Sequence, residues 1–142
     1  MVMAIQTPLL ATDSIIECFD VDGRFQGIVL IERKNPPYGF ALPGGFVEIG
    51  ERVEDACMRE MREETGLEVC LTHLLGVYSD PDRDPRFHTV SIVFISQATA
   101  LPIAGDDAKE ATCYDLASIP WDQLVFDHKK ILKDYLAYKE KC

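Results

Sequence analysis

The stretch GFVEIGERVEDACMREMREETGL, residues 45–67, decides the fold of this chain. Its middle contains no proline, and Glu54 and Asp55 place negative charge where the positive end of a helix dipole would lie. Gly66 is a typical helix-ending residue. The stretch therefore predicts a helix over about residues 51–65.

Three glutamates crowd the last turns of this predicted helix. Glu60 precedes Glu63 and Glu64 by three and four residues, so the carboxylates share one face and repel by roughly 0.2–0.5 kcal/mol per pair. The negative end of the helix dipole opposes them as well. A bound divalent cation would turn this repulsion into attraction, and carboxylate oxygens are the hard ligands that Mg²⁺ and Mn²⁺ prefer. The alternative is a solvated helix face, interleaved with Arg59 and Arg62.

The composition is typical of one globular domain over residues 1–142, with 47% hydrophobic and 27% charged residues. The formal net charge of −10 disfavours nucleic acid as a partner, because phosphate backbones bind basic surfaces. No apolar run is long enough for a bilayer, and the N-terminus lacks the features of a secretion signal. We therefore expect a cytoplasmic protein without a membrane partner. Five scattered cysteines predict neither a disulfide framework nor a zinc site.

The rest of the chain predicts strands that interleave with helices. Asp22-Gly23 is a typical hairpin turn, with strands near 14–20 and 25–33 on its two sides. Gly44 and Gly45 fall in a loop rich in proline and glycine. Apolar and β-branched runs predict further strands, and an apolar periodicity predicts a second helix. These lie at 40–42, 67–79, 88–100 and 112–116 for the strands and at 127–140 for the helix. A mixed sheet with helices packed on it is expected.

Read from Gly45, the stretch resembles at every defining position the signature of the Nudix hydrolases, G-x5-E-x7-R-E-U-x-E-E-x-G-U, where U is apolar. Its isolated glutamate is Glu51, and its R-E-U-x-E-E part spans residues 59–64. Chance occurrence of this pattern is below about one in a million. The resemblance implies an α/β/α sandwich with a mixed central sheet. It also implies hydrolysis of a nucleoside diphosphate linked to another group X.

The resemblance also implies which residues bind the metal. Glu60 and Glu64 would be direct ligands of Mg²⁺ or Mn²⁺, with the Gly44 carbonyl as another, and Glu63 would be a ligand or the general base. Gly44 and Gly45 have no side chains, so the backbone there can approach metal and substrate phosphates closely.

Two further groups are candidates for the chemistry. Arg59 is one helical turn from Glu63 and within reach of Glu51, and it would orient the acids rather than touch the substrate. Related sequences draw an extra carboxylate from the region that corresponds to residues 104–116, and Glu110 is the preferred general base there. The alternative for Glu110 is a solvated acidic loop.

Within the family, residues 35–51 and 78–94 are similar to the ADP-ribose pyrophosphatase branch, in which a proline follows the signature at about the position of Pro81 and Pro85. This likeness implies cleavage of ADP-ribose, a nucleotide sugar, into AMP and ribose 5-phosphate. The alternatives are an oxidised nucleoside triphosphate, NADH or another dinucleotide, and a domain that senses ADP-ribose without cutting it.

Three side chains outside the signature are candidates to bind the substrate. Arg33 and Arg86 could hold phosphate or ribose oxygens through the fork of the guanidinium, or could be surface residues. Phe40 could stack on adenine, or could pack in the ordinary way. His128 has no partner in the sequence pattern that indicates a role. The apolar segment 4–11 could reach a second copy in a homodimer, or could pack on its own domain.

Overall fold

The computed structural model describes residues 4–98, 100, 102 and 110–142. The helices of this part are α1 (Val53–Thr65) and α2 (His128–Glu140), and short 3-10 turns lie at Leu116–Ser118 and Trp121–Gln123. The strands are β1 (Leu9–Phe19), β2 (Phe25–Glu32), β3 (Phe40–Ala41), β4 (Gly44–Phe46), β5 (Cys70–Tyr78), β6 (Thr89–Ala98) and β7 (Glu110–Tyr114). Neither helix has the length and hydrophobicity needed to cross a bilayer.

One mixed sheet joins the seven strands, with β1 near its centre. β1 runs parallel to β6 from Leu9 to Cys18. Along its other edge, β1 pairs antiparallel with β4 at one end and with β2 at the other. β2 also pairs with β3 and β7, and β5 forms the opposite edge beyond β6. The mixed sheet expected from the sequence is confirmed.

Two hydrophobic cores lie on the two faces of the sheet, because successive side chains of a strand point to opposite faces. Ile15 packs in a cluster with Ile131 and Tyr135 of α2. Its neighbour Ile16 packs in a second cluster with Met61 of α1. All five side chains are fully buried. The α/β/α sandwich is therefore confirmed, with α1 and α2 on opposite faces.

The predicted first helix is confirmed, although it begins two residues later than expected. The Glu51 carboxylate accepts the backbone N–H of Glu48 at 3.1 Å and pairs with Arg59, so Glu51 belongs to the turn before the helix. α1 then runs from Val53 to the left-handed Gly66, whose φ is 74°.

β1 begins at Leu9, so the prediction of a strand starting near residue 14 was wrong. The reason is that the polar residues before that point have partners on β6. The Thr12 hydroxyl donates to the Ile92 carbonyl at 2.8 Å, and the Ser91 hydroxyl donates to Asp13. These polar side chains can therefore lie inside the sheet.

The prediction of a loop at Gly44 and Gly45 was also wrong, since both residues belong to strand β4 and pair with β1. The glycines fit there because other groups approach their backbone closely, which is a common reason for glycine inside a strand. β7 likewise begins earlier than expected, at Glu110 rather than near residue 112.

Candidate active site

A cavity of about 370 Å³ opens where the C-terminal half of α1, strand β4, the end of β2 and the segments 83–89 and 126–128 meet. Sites for small ligands commonly have volumes of about 300–1,000 Å³. The walls of this cavity differ in charge. The acidic wall consists of Asp13, Glu60 and Glu64. The basic wall consists of Arg33 and Arg86.

The acidic wall is built against the glycine pair of β4. Glu64 is only 3% exposed, and its carboxylate accepts the Gly44 N–H at 2.8 Å. A Cβ on Gly45 would overlap the Glu60 carboxylate, and a Cβ on Gly44 would overlap Asp13. The glycines are therefore required because three carboxylates approach the backbone of this strand.

Asp13 is a member of the acidic wall that sequence reasoning missed. Burial raises its pKa to about 7, although the hydrogen bond from Ser91 lowers it. Burial also raises the pKa of Glu60, the charge of Arg59 lowers it, and the charge of Glu64 raises it further. The anionic forms of Asp13 and Glu60 are thus unfavourable unless positive charge is nearby. The signal for Asp13 was a run of three polar residues, 12–14, inside an apolar strand.

Arg59 joins several acids beside the cavity. Its Nε and Nη2 donate to the two Glu51 oxygens at 2.8 and 2.9 Å, and Nη1 donates to Glu60 at 2.8 Å and to Glu63 at 3.3 Å. Nη2 also donates to the Phe46 carbonyl at 3.2 Å. Hydrogen bonding to Arg59 lowers the pKa of Glu51 to about 2. Arg59 thus fixes the Glu60 carboxylate while its own side chain lies outside the cavity lining.

Glu63 and Glu51 do not line the cavity in the described part of the chain, and the Glu110 side chain lies outside the described residues. The Glu63 side chain is 49% exposed and pairs with Arg59. Glu51 lies in the turn before α1. Glu110 is the first residue of β7, and residues 103–109 before it lie outside the described residues. The catalytic roles of these acids stay predictions.

Arg33 offers the cavity a guanidinium that has no acidic partner among the described residues. Its Nε donates to the Pro37 carbonyl at 2.8 Å, and Nη2 donates to the Pro36 carbonyl at 3.3 Å. Arg86, by contrast, donates twice to Asp84, at 3.0 and 2.8 Å. An anionic ligand would therefore gain more from Arg33 than from Arg86.

Phe126 connects the two arginines of the basic wall. The guanidinium carbons of Arg33 and Arg86 lie 5.0 and 5.4 Å from the centroid of its ring. Its φ of 57° is the one positive value at a non-glycine residue in the described ranges. Such a backbone costs about 1–3 kcal/mol and is found most often at functional sites. Sequence reasoning missed Phe126, because the two arginines that it contacts are distant from it in sequence.

Phe40 lies outside the cavity lining, although the sequence made it a candidate to stack on adenine. Its ring packs edge-on against Tyr114, with 5.8 Å between the centroids. Phe40 therefore packs in the ordinary way, which was the alternative to stacking on adenine.

The acidic wall fits a hard divalent cation that is bound partly by the substrate. Within the described residues, no three acidic, histidine or cysteine side chains form a ready-made ligand set. Mg²⁺ usually takes only one or two carboxylates, because waters and substrate phosphates complete its coordination shell. Glu60 and Glu64 supply two carboxylates beside a strand that has no side chains in the way.

Comparison with known proteins gives matches over most of the chain. The NUDIX domain family model matches residues 9–135. The ADP-ribose pyrophosphatase of Methanocaldococcus jannaschii is 54% identical over 135 residues, which cover 93% of this chain and 75% of that protein. The putative 8-oxo-dGTP diphosphatase of Bacillus subtilis is 36% identical over 86 residues, which cover 61% of this chain and 54% of that protein.

Solved structures with the same fold include two larger proteins. A MutT/nudix family protein from Enterococcus faecalis has a TM-score of 0.78 and 31% identity, and the match covers 94% of this chain and 62% of that one. A bifunctional NMN adenylyltransferase/ADP ribose pyrophosphatase from Francisella tularensis, complexed with AMP and a manganese ion, has a TM-score of 0.76 and 29% identity. That match covers 96% of this chain and 43% of the Francisella chain.

The family match includes β1, β4, α1 and the part of α2 up to residue 135, and these elements build both cores and the cavity. The signature found in the sequence therefore lies in the α/β/α sandwich that the resemblance implies. This chain belongs to the Nudix family.

Proposed function

We propose that this chain is a Nudix pyrophosphohydrolase that cleaves ADP-ribose into AMP and ribose 5-phosphate. The observation that carries the proposal is the acidic wall, which faces the same cavity as Arg33. This arrangement suits a ligand that brings a cation and a diphosphate together. The 54% identity to the Methanocaldococcus ADP-ribose pyrophosphatase supports the choice of substrate.

Glu60, Glu64 and the Gly44 carbonyl are the proposed ligands of Mg²⁺ or Mn²⁺. When bound, the cation would neutralise the diphosphate and lower the pKa of a coordinated water. The manganese ion in the Francisella relative supports a divalent cation of this class. The hydrogen bond from Gly44 to Glu64 and the ion pair from Arg59 to Glu60 hold both carboxylates in place.

The remaining acids of the signature have supporting roles in this proposal. Arg59 and Glu51 are positioning residues, because their bidentate pair fixes the guanidinium that holds Glu60. Glu63 and Glu110 remain the candidates for the general base. The base would take the proton of the attacking water as the new phosphorus–oxygen bond forms and the bond from that phosphorus to the bridging oxygen breaks.

The basic wall would bind the phosphate or ribose oxygens of the substrate. Arg33 is the main contact in this proposal, because its charge has no acidic partner among the described residues. Arg86 is the weaker contact, since it is already paired with Asp84. Gly45 would let the substrate approach the backbone of β4. We do not extend the proposal to Phe40, which lies off the cavity lining.

A substrate panel tests the proposed function. ADP-ribose, NADH and 8-oxo-dGTP are supplied with Mg²⁺ or with EDTA, and the products are separated by chromatography. The proposal predicts that ADP-ribose is the best substrate and that AMP is released only with the metal. Faster turnover of 8-oxo-dGTP would favour the activity named for the Bacillus relative. Tight binding of ADP-ribose without cleavage would indicate a sensor.

We also propose that the chain forms a homodimer through an apolar surface beside the N-terminal segment. Leu9, Phe46 and Phe87 are each more than a third exposed, and the rings of the two phenylalanines are 6.1 Å apart. Exposed apolar patches of this kind commonly mark protein interfaces. Light scattering should give twice the monomer mass, and Phe87→Asp should return the monomer. A monomeric wild type would contradict this.

A further inference from the structure

The cavity lining contains a hydroxyl group without a partner. Thr89 is only 3% exposed and lines the cavity at the start of β6. Its Oγ1 is the single buried side-chain polar atom in the described part of the chain that makes no hydrogen bond. Buried polar atoms nearly always have partners, so such an atom next to an open cavity indicates a position for a ligand atom.

His128 offers another polar group to the same cavity. The residue is 2% exposed and lines the cavity, and its Nδ1 accepts the Leu42 N–H at 2.9 Å. Burial lowers the pKa of His128 to about 3, so the ring is neutral at pH 7. The proton of a neutral ring whose Nδ1 is an acceptor lies on Nε2. This Nε2–H has no acceptor among the residues that the structure describes.

The surroundings of the two groups carry no net charge. Arg83, which contacts the Thr89 backbone, donates to both carboxylate oxygens of Asp127 at 2.9 and 2.7 Å. Its remaining Nη1 donates to the Thr89 carbonyl at 3.5 Å. The Arg83–Asp127 pair therefore places no unpaired charge beside these two groups.

We propose that Thr89 and His128 form a neutral subsite that binds a ribose hydroxyl of the substrate. The substrate hydroxyl would accept the His128 Nε2–H and donate to the Thr89 Oγ1. The inference rests on the proposed function, because each half of ADP-ribose carries ribose hydroxyls. It assigns specificity to two residues that lie outside the signature.

A hydroxyl fits this subsite better than the other parts of a nucleotide. It is both donor and acceptor, so one group satisfies both side chains. A phosphate oxygen could accept from both side chains, but it would gain more beside the charged Arg33. An apolar ring face would leave both buried groups without partners, which is costly. The subsite should therefore reject substrates that lack the recognised hydroxyl.

The test uses four variants of the full chain. Thr89→Val removes the hydroxyl at nearly constant size, and Thr89→Ser keeps it. His128→Asn retains an acceptor for the Leu42 N–H but has no donor at the position of Nε2. Thr72→Val is the matched control, because Thr72 lies on β5 outside the cavity lining. Its hydroxyl already has a partner, since it donates to the Ile95 carbonyl at 3.1 Å.

Each variant is given ADP-ribose and two analogues, one that lacks the free hydroxyls of the adenosine ribose and one that lacks those of the terminal ribose. Calorimetry in EDTA measures the Kd values, and kcat/KM with Mg²⁺ provides a second readout. We expect Thr89→Val and His128→Asn to weaken the binding of ADP-ribose about three- to tenfold, because each variant loses one neutral hydrogen bond. The analogue that lacks the recognised hydroxyl should show no such loss, which identifies the ribose involved. Thr89→Ser keeps the hydroxyl and should retain the preference for the ligand with the recognised ribose hydroxyl, whereas Thr72→Val should behave as wild type.

The outcomes separate the subsite from the proposed function. Hydrolysis of ADP-ribose by wild type with equal losses for all three ligands, or with none, would overturn the subsite alone. A selective loss of binding without any hydrolysis would support the subsite and contradict the enzyme. If wild type neither binds nor cleaves ADP-ribose, both are overturned.

Discussion

The acidic wall takes Glu60 and Glu64 from one turn of α1, whereas the basic wall takes Arg33 from the segment after β2 and Arg86 from the segment before β6. The acids repel one another, and burial raises the pKa of Glu60. The basic wall is partly neutralised, since Arg86 pairs with Asp84. The difference indicates that a bound cation would stabilise the charged form of the acidic wall, while one anionic group would be enough for Arg33.

Glu64→Gln should have the largest effect, because it removes a proposed metal ligand while keeping the shape of the side chain. We expect kcat/KM for ADP-ribose to fall at least about 100-fold, since a catalytic metal supplies several kcal/mol of stabilisation. Glu54→Gln is the control, because it makes the same charge change at an exposed position of α1. Equal activity of the two variants would remove the acidic wall from the mechanism.

Gly45→Ala should come next, because the new Cβ would overlap the Glu60 carboxylate. Displacing a catalytic group by about 1 Å can cost about 100-fold in rate. Gly76→Ala is the control, since its Cβ would be 3.6 Å from the nearest Tyr78 atom, an ordinary contact. Steady-state kinetics of both variants would show whether the close approach at β4 matters.

Arg33→Ala tests the basic wall. We expect a loss of about tenfold in kcat/KM, the lower end for hydrogen bonds to a charged group. Arg86→Ala should cost less, because Asp84 already compensates the Arg86 charge. A larger loss in Arg86→Ala than in Arg33→Ala would reverse the roles assigned to the two arginines.

Asp13→Asn should give the smallest effect, on stability rather than on activity. The pKa of Asp13 is raised from 3.8 to about 7, so between these values the folded metal-free protein binds a proton that the unfolded chain does not. Stability therefore falls as pH rises through this window, and it is lowest above pH 7. In EDTA, the Tm of Asp13→Asn relative to wild type should rise from pH 5 to pH 8. A constant difference would contradict the raised pKa.

The two walls also differ in how far the sequence alone could predict them. The spacing of Glu60 and Glu64 on one helix follows from helical periodicity, so it can be predicted from local sequence. That Gly45 and Glu60 lie in one site could be inferred only through the family resemblance. Arg33 was a candidate because of its residue type, but its lack of an acidic partner depends on folding.

Other parts of the site depend on contacts between distant segments. Asp13 was missed because a polar residue inside a strand becomes acceptable only once Ser91 on β6 is its partner. Phe126, Thr89 and His128 reach the cavity through the packing of β6 and α2, which local patterns do not specify. The strands and helices were largely predictable, because hydrophobic periodicity is a local property.

The most direct test of the central claim is calorimetric titration of Mn²⁺ in the presence of a non-hydrolysable ADP-ribose analogue. We predict clear Mn²⁺ binding to wild type and to Glu54→Gln, and a loss of at least about tenfold in affinity for Glu60→Gln and Glu64→Gln, as expected when a ligand is removed. Binding of Mn²⁺ that is unchanged in Glu60→Gln and Glu64→Gln, or absent from wild type, would contradict the claim that the acidic wall holds a divalent cation.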